Sequence, residues 1–246
     1  MLELAARTHR GCRREKNEDR FFVPPENGPF LFAVADGMGG HAAGEVASTI
    51  AIDLLEKKYY KQLDILQQGD PQVCRAFLEE MVLEIHETIL AAQQINSTFE
   101  GMGTTLTVML LVGEEFLVGH VGDSQLHFLR EEECLQITED HSVVAELIRS
   151  GEIGPDEAQN HPQRNMLTSA LGAVLTYKVD FYCAKPRRDD CVLLCTDGLT
   201  AMIKPKDVLK IVNRFGDLET AADELLRQAN ASGGLDNITF VLIRMQ

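Results

Sequence analysis

The chain has 246 residues, a length that one large domain fills and that buries a sizeable core without disulfides or structural metal. It is 45% hydrophobic and 25% charged, which is ordinary, but 23 Lys and Arg against 38 Asp and Glu leave a net charge of −15 and a pI near 4.9. That balance argues against a nucleic-acid or anionic-membrane binder, because phosphate attraction needs basic residues in excess. The opening Met1–Arg7 stretch lacks an export-signal pattern, and the longest apolar runs, Phe30 to Ala35 and Val108 to Val112 among them, are too short to span a bilayer. Six cysteines, at positions 12, 74, 134, 183, 191 and 195, form no C-x-x-C pair and read as buried reduced thiols, so a soluble cytoplasmic protein is expected.

In chain order, strands are predicted over Leu2–Thr8, Arg20–Val23 and Phe30–Ala35. A helix over Ala42–Lys58 follows from Val46, Ile50 and Leu54 at i, i+4 spacing. A longer one over Gln72–Gln94 carries Phe77, Met81, Ile85 and Ile89 as one stripe, with Glu79, Glu80, Glu84 and Glu87 largely off it. Thr104–Val112, Phe116–Val121, Gln125–Arg130 and a short run near Cys134–Ile137 succeed one another through short turns and read as an antiparallel meander. Ser150–Arg164, with Gly151, Gly154, Pro155 and Pro162, reads as an irregular flap near residues 150–165. Strands over Tyr177–Ala184 and Cys191–Thr196, helices over Pro205–Phe215 and Leu218–Ala231, and a strand over Ile238–Arg244 complete the chain. No linker, repeat or low-complexity tract divides it, so a single domain over 1–246 is expected. Helix pairs before and after runs of strands favour an α+β layered sandwich.

The acids fall at strand ends. Phe30–Ala35 runs into Asp36-Gly37, Cys191–Thr196 into Asp197-Gly198, and Phe116–Val121 into Gly122-Asp123-Ser124. Glu18-Asp19 precedes Phe21-Phe22-Val23, and Asp236-Asn237 precedes the last strand. Singly, Asp-Gly after a strand is a turn signal. Jointly, several strands deliver a carboxylate to a sheet end. Two carboxylates about 5 Å apart at an effective dielectric of 20 repel by roughly 3 kcal/mol, so a cluster needs cations or raised pKa values. Oxygen ligands without a His/Cys set suit Mg²⁺ or Mn²⁺ rather than Zn²⁺, and an aspartate between two such ions is the layout of two-metal phosphoryl chemistry. Arg7, Arg10, Arg13, Arg14 and Lys16 crowd the segment before Glu18-Asp19, and Arg14 lies at useful spacing for gripping a phosphate.

The ordered motifs resemble the metal-dependent Ser/Thr protein phosphatases of type 2C, in particular stand-alone bacterial members. They are Gly11-x-x-Arg14-x-x-Asn17-Glu18-Asp19, Asp36-Gly37-Met38-Gly39-Gly40-His41-x-x-Gly44-Glu45, Met102-Gly103-Thr104-Thr105, Gly119-His120-Val121-Gly122-Asp123-Ser124, Thr138-x-Asp140-His141-Ser142, His161-Pro162-x-Arg164-Asn165, Thr196-Asp197-Gly198-Leu199 and Gly233-Gly234-x-Asp236-Asn237. The resemblance implies a four-layer α-β-β-α sandwich of two mainly antiparallel sheets with two Mg²⁺ or Mn²⁺ ions between them. On it, Asp36 bridges both metals, the Gly37 carbonyl serves the second, Asp197 and Asp236 complete the first, and Glu18 and Asp19 serve the second directly or through water. Asp123 with Asp197 matches a weaker third metal position, and Arg14 matches the arginine that holds the substrate phosphate. The implied activity is one-step hydrolysis of phosphoserine and phosphothreonine in proteins by a metal-activated water, reversing a Ser/Thr kinase, in a monomer.

Two positions depart from the pattern, and three histidines near the motifs read as bystanders. Met38 stands where some eukaryotic relatives carry a histidine proposed as general acid, and Gln125 where the family often has arginine after Gly-Asp-Ser. His41 is expected to pack or to hydrogen-bond a loop, and His141 and His161 to shape structure. A phosphoprotein-binding module without catalysis is the rival reading, and a missing metal carboxylate would favour it.

Overall fold

Period-two alternation along the strands decides the layering. In the computed structural model, which describes residues 2–25, 29–39, 43–158, 160–173 and 178–245, the strands are β1 (Leu2–His9), β2 (Asp19–Phe22), β3 (Leu31–Met38), β4 (Gly103–Thr104), β5 (Leu106–Val112), β6 (Glu115–Val121), β7 (Gln125–Arg130), β8 (Glu133–Gln136), β9 (Asp180–Ala184), β10 (Cys191–Cys195) and β11 (Ile238–Met245). The helices are α1 (Ala43–Lys61), α2 (Leu63–Gln67), α3 (Pro71–Ile95), α4 (Val143–Ser150), α5 (Pro155–Ala158), α6 (Asp197–Thr200), α7 (Pro205–Arg214) and α8 (Leu218–Ala231). One sheet has the order β1-β11-β10-β7-β8 and the other β2-β3-β5-β6-β9, with β4 on β3. The strand pairings are antiparallel.

On β3, Leu31, Ala33 and Ala35 pack with residues of α1 and α3, while Phe32 and Val34 point the other way, into a layer shared with Val192, Leu194, Val241 and Ile243 of the facing sheet. On β10, Cys191, Leu193 and Cys195 pack against α7 and α8. Both faces of these strands are therefore covered, which is why they read as continuous apolar runs. The result is the expected α-β-β-α sandwich. The apolar stripe of α3 is buried as its spacing predicts, and Asp70 caps the helix by accepting from Gln72 N at 2.8 Å and Val73 N at 3.1 Å.

The meander is corrected by the structure. β5 and β6 form one hairpin and β7 and β8 another, but they lie in different sheets, so the chain crosses the sandwich at Gly122-Asp123-Ser124. Gly122 makes the crossing at φ +105, and a Cβ there would sit 2.5 Å from the Thr105 side chain. The turn signal was legible; which sheet the next strand joins is decided by β10, which pairs with β7 from more than sixty residues away. The segment after Ser142 is also more regular than predicted: Ser142 caps α4 by accepting from Ala145 N at 3.3 Å, and Gly151 ends it at φ +77.

The cysteines only partly fit the reading of buried thiols. Cys74, Cys191 and Cys195 are buried, Cys134 is half-buried, and Cys12 and Cys183 are exposed; all six are free. Burial pushes the Cys191 thiol up to about 12 and raises that of Cys195 as well. No helix among the described residues is long and apolar enough to cross a membrane.

Leu194 lies fully buried between the sheets. Leu194→Ala is expected to cost about 2–5 kcal/mol, read as a lowered urea midpoint at unchanged m-value.

Candidate metal centre

The same alternation that buries the intersheet core carries acids to one end of it. Phe32 and Val34 face inward on β3, and two residues on so does Asp36. β2 pairs with β3 in a register that sets Asp19 opposite Asp36. On β10 the inward residues Val192 and Leu194 lead to Thr196 and then Asp197, the first residue of α6. The crossing between sheets supplies Asp123, and Asp236 comes just before β11. Asp36, Asp123, Asp197 and Asp236, with Glu18 and Arg14, line a cleft of about 350 Å³. Asp19 lies beneath it, 1% exposed.

The electrostatics are those of crowded like charges. Burial pushes the Asp36 carboxyl well above the usual carboxylate range, and the charges of Asp19, Asp197, Asp123 and Asp236 push it further. Asp123 is raised by burial and by Asp197 and Asp140. Asp19 reaches about 7 through burial, against the lowering effect of hydrogen bonds from Thr239 and Thr196, and Asp197 about 6 through burial and the Asp236 charge. Burial also raises Glu18, with Arg14 opposing. Arg14 supplies the cationic contact, its Nη2 donating to Asp236 Oδ2 at 2.7 Å.

The oxygens fit hard divalent cations. Asp19 Oδ2 accepts from Thr196 Oγ1 at 2.8 Å, but Asp19 Oδ1 and Asp197 Oδ1 are buried without a hydrogen-bond partner. A buried carboxylate oxygen without a donor is costly, and a cation is the partner this donor set suits. Among the described residues no three acids close on one point at ligand spacing; they ring the cleft.

The backbone around the acids is fixed by contacts that the motifs contained without declaring them. Asp36 N donates to Thr105 Oγ1 at 2.9 Å, and Thr104 Oγ1 donates to Asp36 O at 2.9 Å. Gly37 touches the start of α1 so closely that a Cβ would lie 2.1 Å from Gly44 O, and one on Gly44 would lie 2.7 Å from Gly37 O. Asn237, buried and assigned no role from the sequence, holds the Arg14 loop: its Nδ2 donates to Arg10 O at 3.0 Å and Lys16 O at 2.8 Å, and its Oδ1 accepts from Glu18 N at 2.8 Å. Those partners lie more than 200 residues away in sequence. Only its place directly after Asp236 could have signalled it.

Of the basic residues before Glu18, Arg14 reaches the cleft. Arg7 instead pairs with Glu219 at 2.6 Å and Asp223 at 2.8 Å, and Lys16 lies 4.0 Å from Glu45. Neither Arg10 nor Arg13 lines the cleft. Met38 does, bringing a thioether where an acid would need a proton. Gly40, His41 and Ala42 lie outside the described residues. Gln125 donates to Asp140 Oδ2 at 2.8 Å and accepts from His127 Nε2, while Gln136 donates to Asp140 Oδ1 at 2.7 Å, so two amides hold that carboxyl. Burial pushes the Asp140 carboxyl up to about 6. His141 ties the crossing to β9, Nδ1 accepting from Gly122 N at 3.2 Å and Nε2 donating to Asp180 at 3.0 Å. His161 Nδ1 accepts from Gln163 N. Among the described residues of the segment 150–165 only Asn165 lines the cleft; its wall continues through Leu167, Thr168, Ser169 and Ala170 to Ala173.

Comparison with known proteins follows the same lines. The sequence profile of the family Protein phosphatase 2C matches residues 8–235. The serine/threonine phosphatase stp of Listeria monocytogenes is 37% identical over 239 residues, covering 96% of this chain and 93% of its own. The solved serine/threonine phosphatase of S. agalactiae superposes with a TM-score of 0.91 at 30% identity, with full coverage of both chains. The catalytic domain of the phosphatase PstP, solved in complex with two manganese ions, gives 0.84 at 33% identity, covering 100% of this chain and 99% of that one. The chain belongs to the protein phosphatase 2C family.

The raised carboxyls have a consequence for pH. An acid whose folded pKa lies above its unfolded value holds more protons in the folded state, so stability falls as pH rises from the ordinary carboxylate range toward the folded values of about 6 for Asp197 and about 7 for Asp19. In EDTA the melting temperature is expected to drop between about pH 5 and pH 8, and Mn²⁺ to restore more of it at the higher pH. Thermal melts at both pH values, with and without Mn²⁺, check this.

Proposed function

We propose that this protein hydrolyses phosphoserine and phosphothreonine in proteins with two divalent cations, Mg²⁺ or Mn²⁺, held between its sheets. The observation that carries the reading is a cluster of buried acids, two of whose oxygens lack any donor, beside a cleft arginine. Family membership and the named phosphatases among its relatives support it. PstP's two manganese ions support the metal count.

Asp36 would hold both ions, the Gly37 carbonyl with Glu18 and Asp19, directly or through water, would serve the second, Asp197 and Asp236 would complete the first, and Asp123 with Asp197 would hold a third, weaker one. When bound, such ions offset the charge on phosphoryl oxygens and make water acidic enough to attack at neutral pH. The chain's own part is orientation and exclusion. Arg14 spends one N–H on Asp236, which fixes the guanidinium and leaves its other donors for phosphate oxygens. Asn237 holds the loop that carries Arg14, so the grip is preorganised. The sulfur of Met38 gives no proton, so the leaving alkoxide takes one from water. The surface around the cleft, including a flap near residues 150–165, selects the phosphoprotein. The protein works as one domain over 1–246, as a cytoplasmic monomer that reverses a Ser/Thr kinase.

Asp36→Asn and Asp197→Asn are each expected to abolish Mn²⁺-dependent turnover of p-nitrophenyl phosphate, while Arg14→Ala raises KM by about 10- to 100-fold, the size of a lost charge-assisted hydrogen bond. Near-wild-type turnover in either aspartate variant would overturn the assignment.

A further inference from the structure

The wall of the cleft formed by Leu167–Ala170 and Ala173 is anchored from outside the site. Between Ala170 and Ala173 lies Gly172, at φ +80. Both of its backbone groups bond to side chains of α3: its N–H donates to His86 Nδ1 at 3.1 Å, and its carbonyl accepts from Gln93 Nε2 at 2.7 Å. Ile89 completes the contact, for a Cβ on Gly172 would lie 2.1 Å from Ile89 Cγ2. His86, Ile89 and Gln93 follow at i, i+3 and i+7, one face of the helix.

Gln93 holds a second segment with the same amide. Its Nε2 also donates to Met102 O at 3.2 Å, and its Oε1 accepts from Gly101 N at 3.0 Å. Those residues lead into β4, where Thr104 and Leu171 exchange backbone hydrogen bonds at 3.0 and 2.9 Å, and Thr104 Oγ1 reaches Asp36 O. The cleft wall and the backbone of Asp36 are thus fastened to one notch on α3.

We propose that His86 and Gln93 are positioning residues, which clamp Gly172 and so fix the cleft wall against which a phosphoprotein segment lies. The substrate part rests on the phosphatase reading; the clamp itself does not. Neither side chain lines the cleft, so neither touches substrate. His86 accepts at Nδ1, so its proton sits on Nε2, and burial lowers its pKa, which keeps that neutral tautomer in place. A polar notch on a helix otherwise buried through an apolar stripe has a purpose beyond packing when His86 Nδ1 and Gln93 Nε2 both meet the backbone of Gly172 and Gln93 also holds the segment leading into β4.

The test compares wild type with Gln93→Ala, Gln93→Met, which fills the space without an amide, and His86→Gln, which keeps an acceptor. Hydrogen exchange of the peptides covering 101–104 and 167–173 is expected to quicken in both Gln93 variants and to stay near wild type in His86→Gln. KM for a phosphothreonine peptide is expected to rise about fivefold in the Gln93 variants, the scale of one lost hydrogen bond, with kcat for p-nitrophenyl phosphate within about twofold. Unchanged exchange in both Gln93 variants overturns the clamp. Quickened exchange with unchanged peptide KM overturns its role in substrate positioning. If wild type turns over neither substrate, the phosphatase reading falls, and exchange still decides the clamp.

Discussion

Repulsion among carboxylates at the end of the intersheet core is the constraint on which the rest depends. Loss of water raises the affinity of Asp19, Asp36, Asp123 and Asp197 for protons, and the charges of neighbouring carboxylates, Asp236 among them, raise it further. At roughly 3 kcal/mol per close pair, such a group would spread apart unless something rigid held it. The rigid body is the apolar layer directly behind it, in which Phe32, Val34, Val192, Leu194 and Val241 lock two twisted sheets face to face. Each acid lies within a strand or two residues from its end, and such a strand cannot shift register without moving its apolar residues to the wrong face.

Strand ends alone would not hold the backbone still, and most of the remaining fasteners join segments distant in sequence. Thr104 and Thr105 grip both backbone groups of Asp36; Gly37 and Gly44 bring α1 against the end of β3; Asn237 pins the loop from Arg10 to Glu18. These contacts use backbone or uncharged side chains. That choice matters, because a charged fastener would have compensated the acids and weakened the very field that draws a cation. Gln125 and Gln136 on Asp140 follow the same rule, two amides where a guanidinium would have neutralised the carboxylate.

What was legible in the sequence was what alternation and spacing encode locally. Phe30–Ala35 followed by Asp36 told of a buried strand delivering an acid, and Phe77, Met81, Ile85 and Ile89 told of a one-face helix; both stand in the structure. What was not legible was long-range pairing. Gly122-Asp123-Ser124 carries the turn chemistry of a hairpin, yet it leads into the other sheet because β7 finds β10. α4 was hidden by the Gly and Pro residues that follow it, although Ser142 and Gly151 bracket it as caps. Asn237 could be quoted within a motif but not understood, since its partners lie at Arg10, Lys16 and Glu18.

The charge of −15 poses the last problem, since an acidic protein must receive an anionic phosphoprotein. Distance resolves it. The acids on helix faces such as Glu79, Glu80 and Glu84 do not line the cleft, and exposed charges more than a Debye length of about 8 Å apart at physiological salt are largely screened from one another. Several of these acids are also paired: Glu80 and Glu84 meet Lys58, and Glu79 meets Arg75. The basic segment before Glu18 is partitioned in the same manner, with Arg7 spent on Glu219 and Asp223 while Arg14 faces the cleft. Within contact range, therefore, local charges outweigh the net charge of the molecule: the guanidinium of Arg14 is held by Asp236 at the cleft, beside acids whose mutual repulsion a cation would relieve.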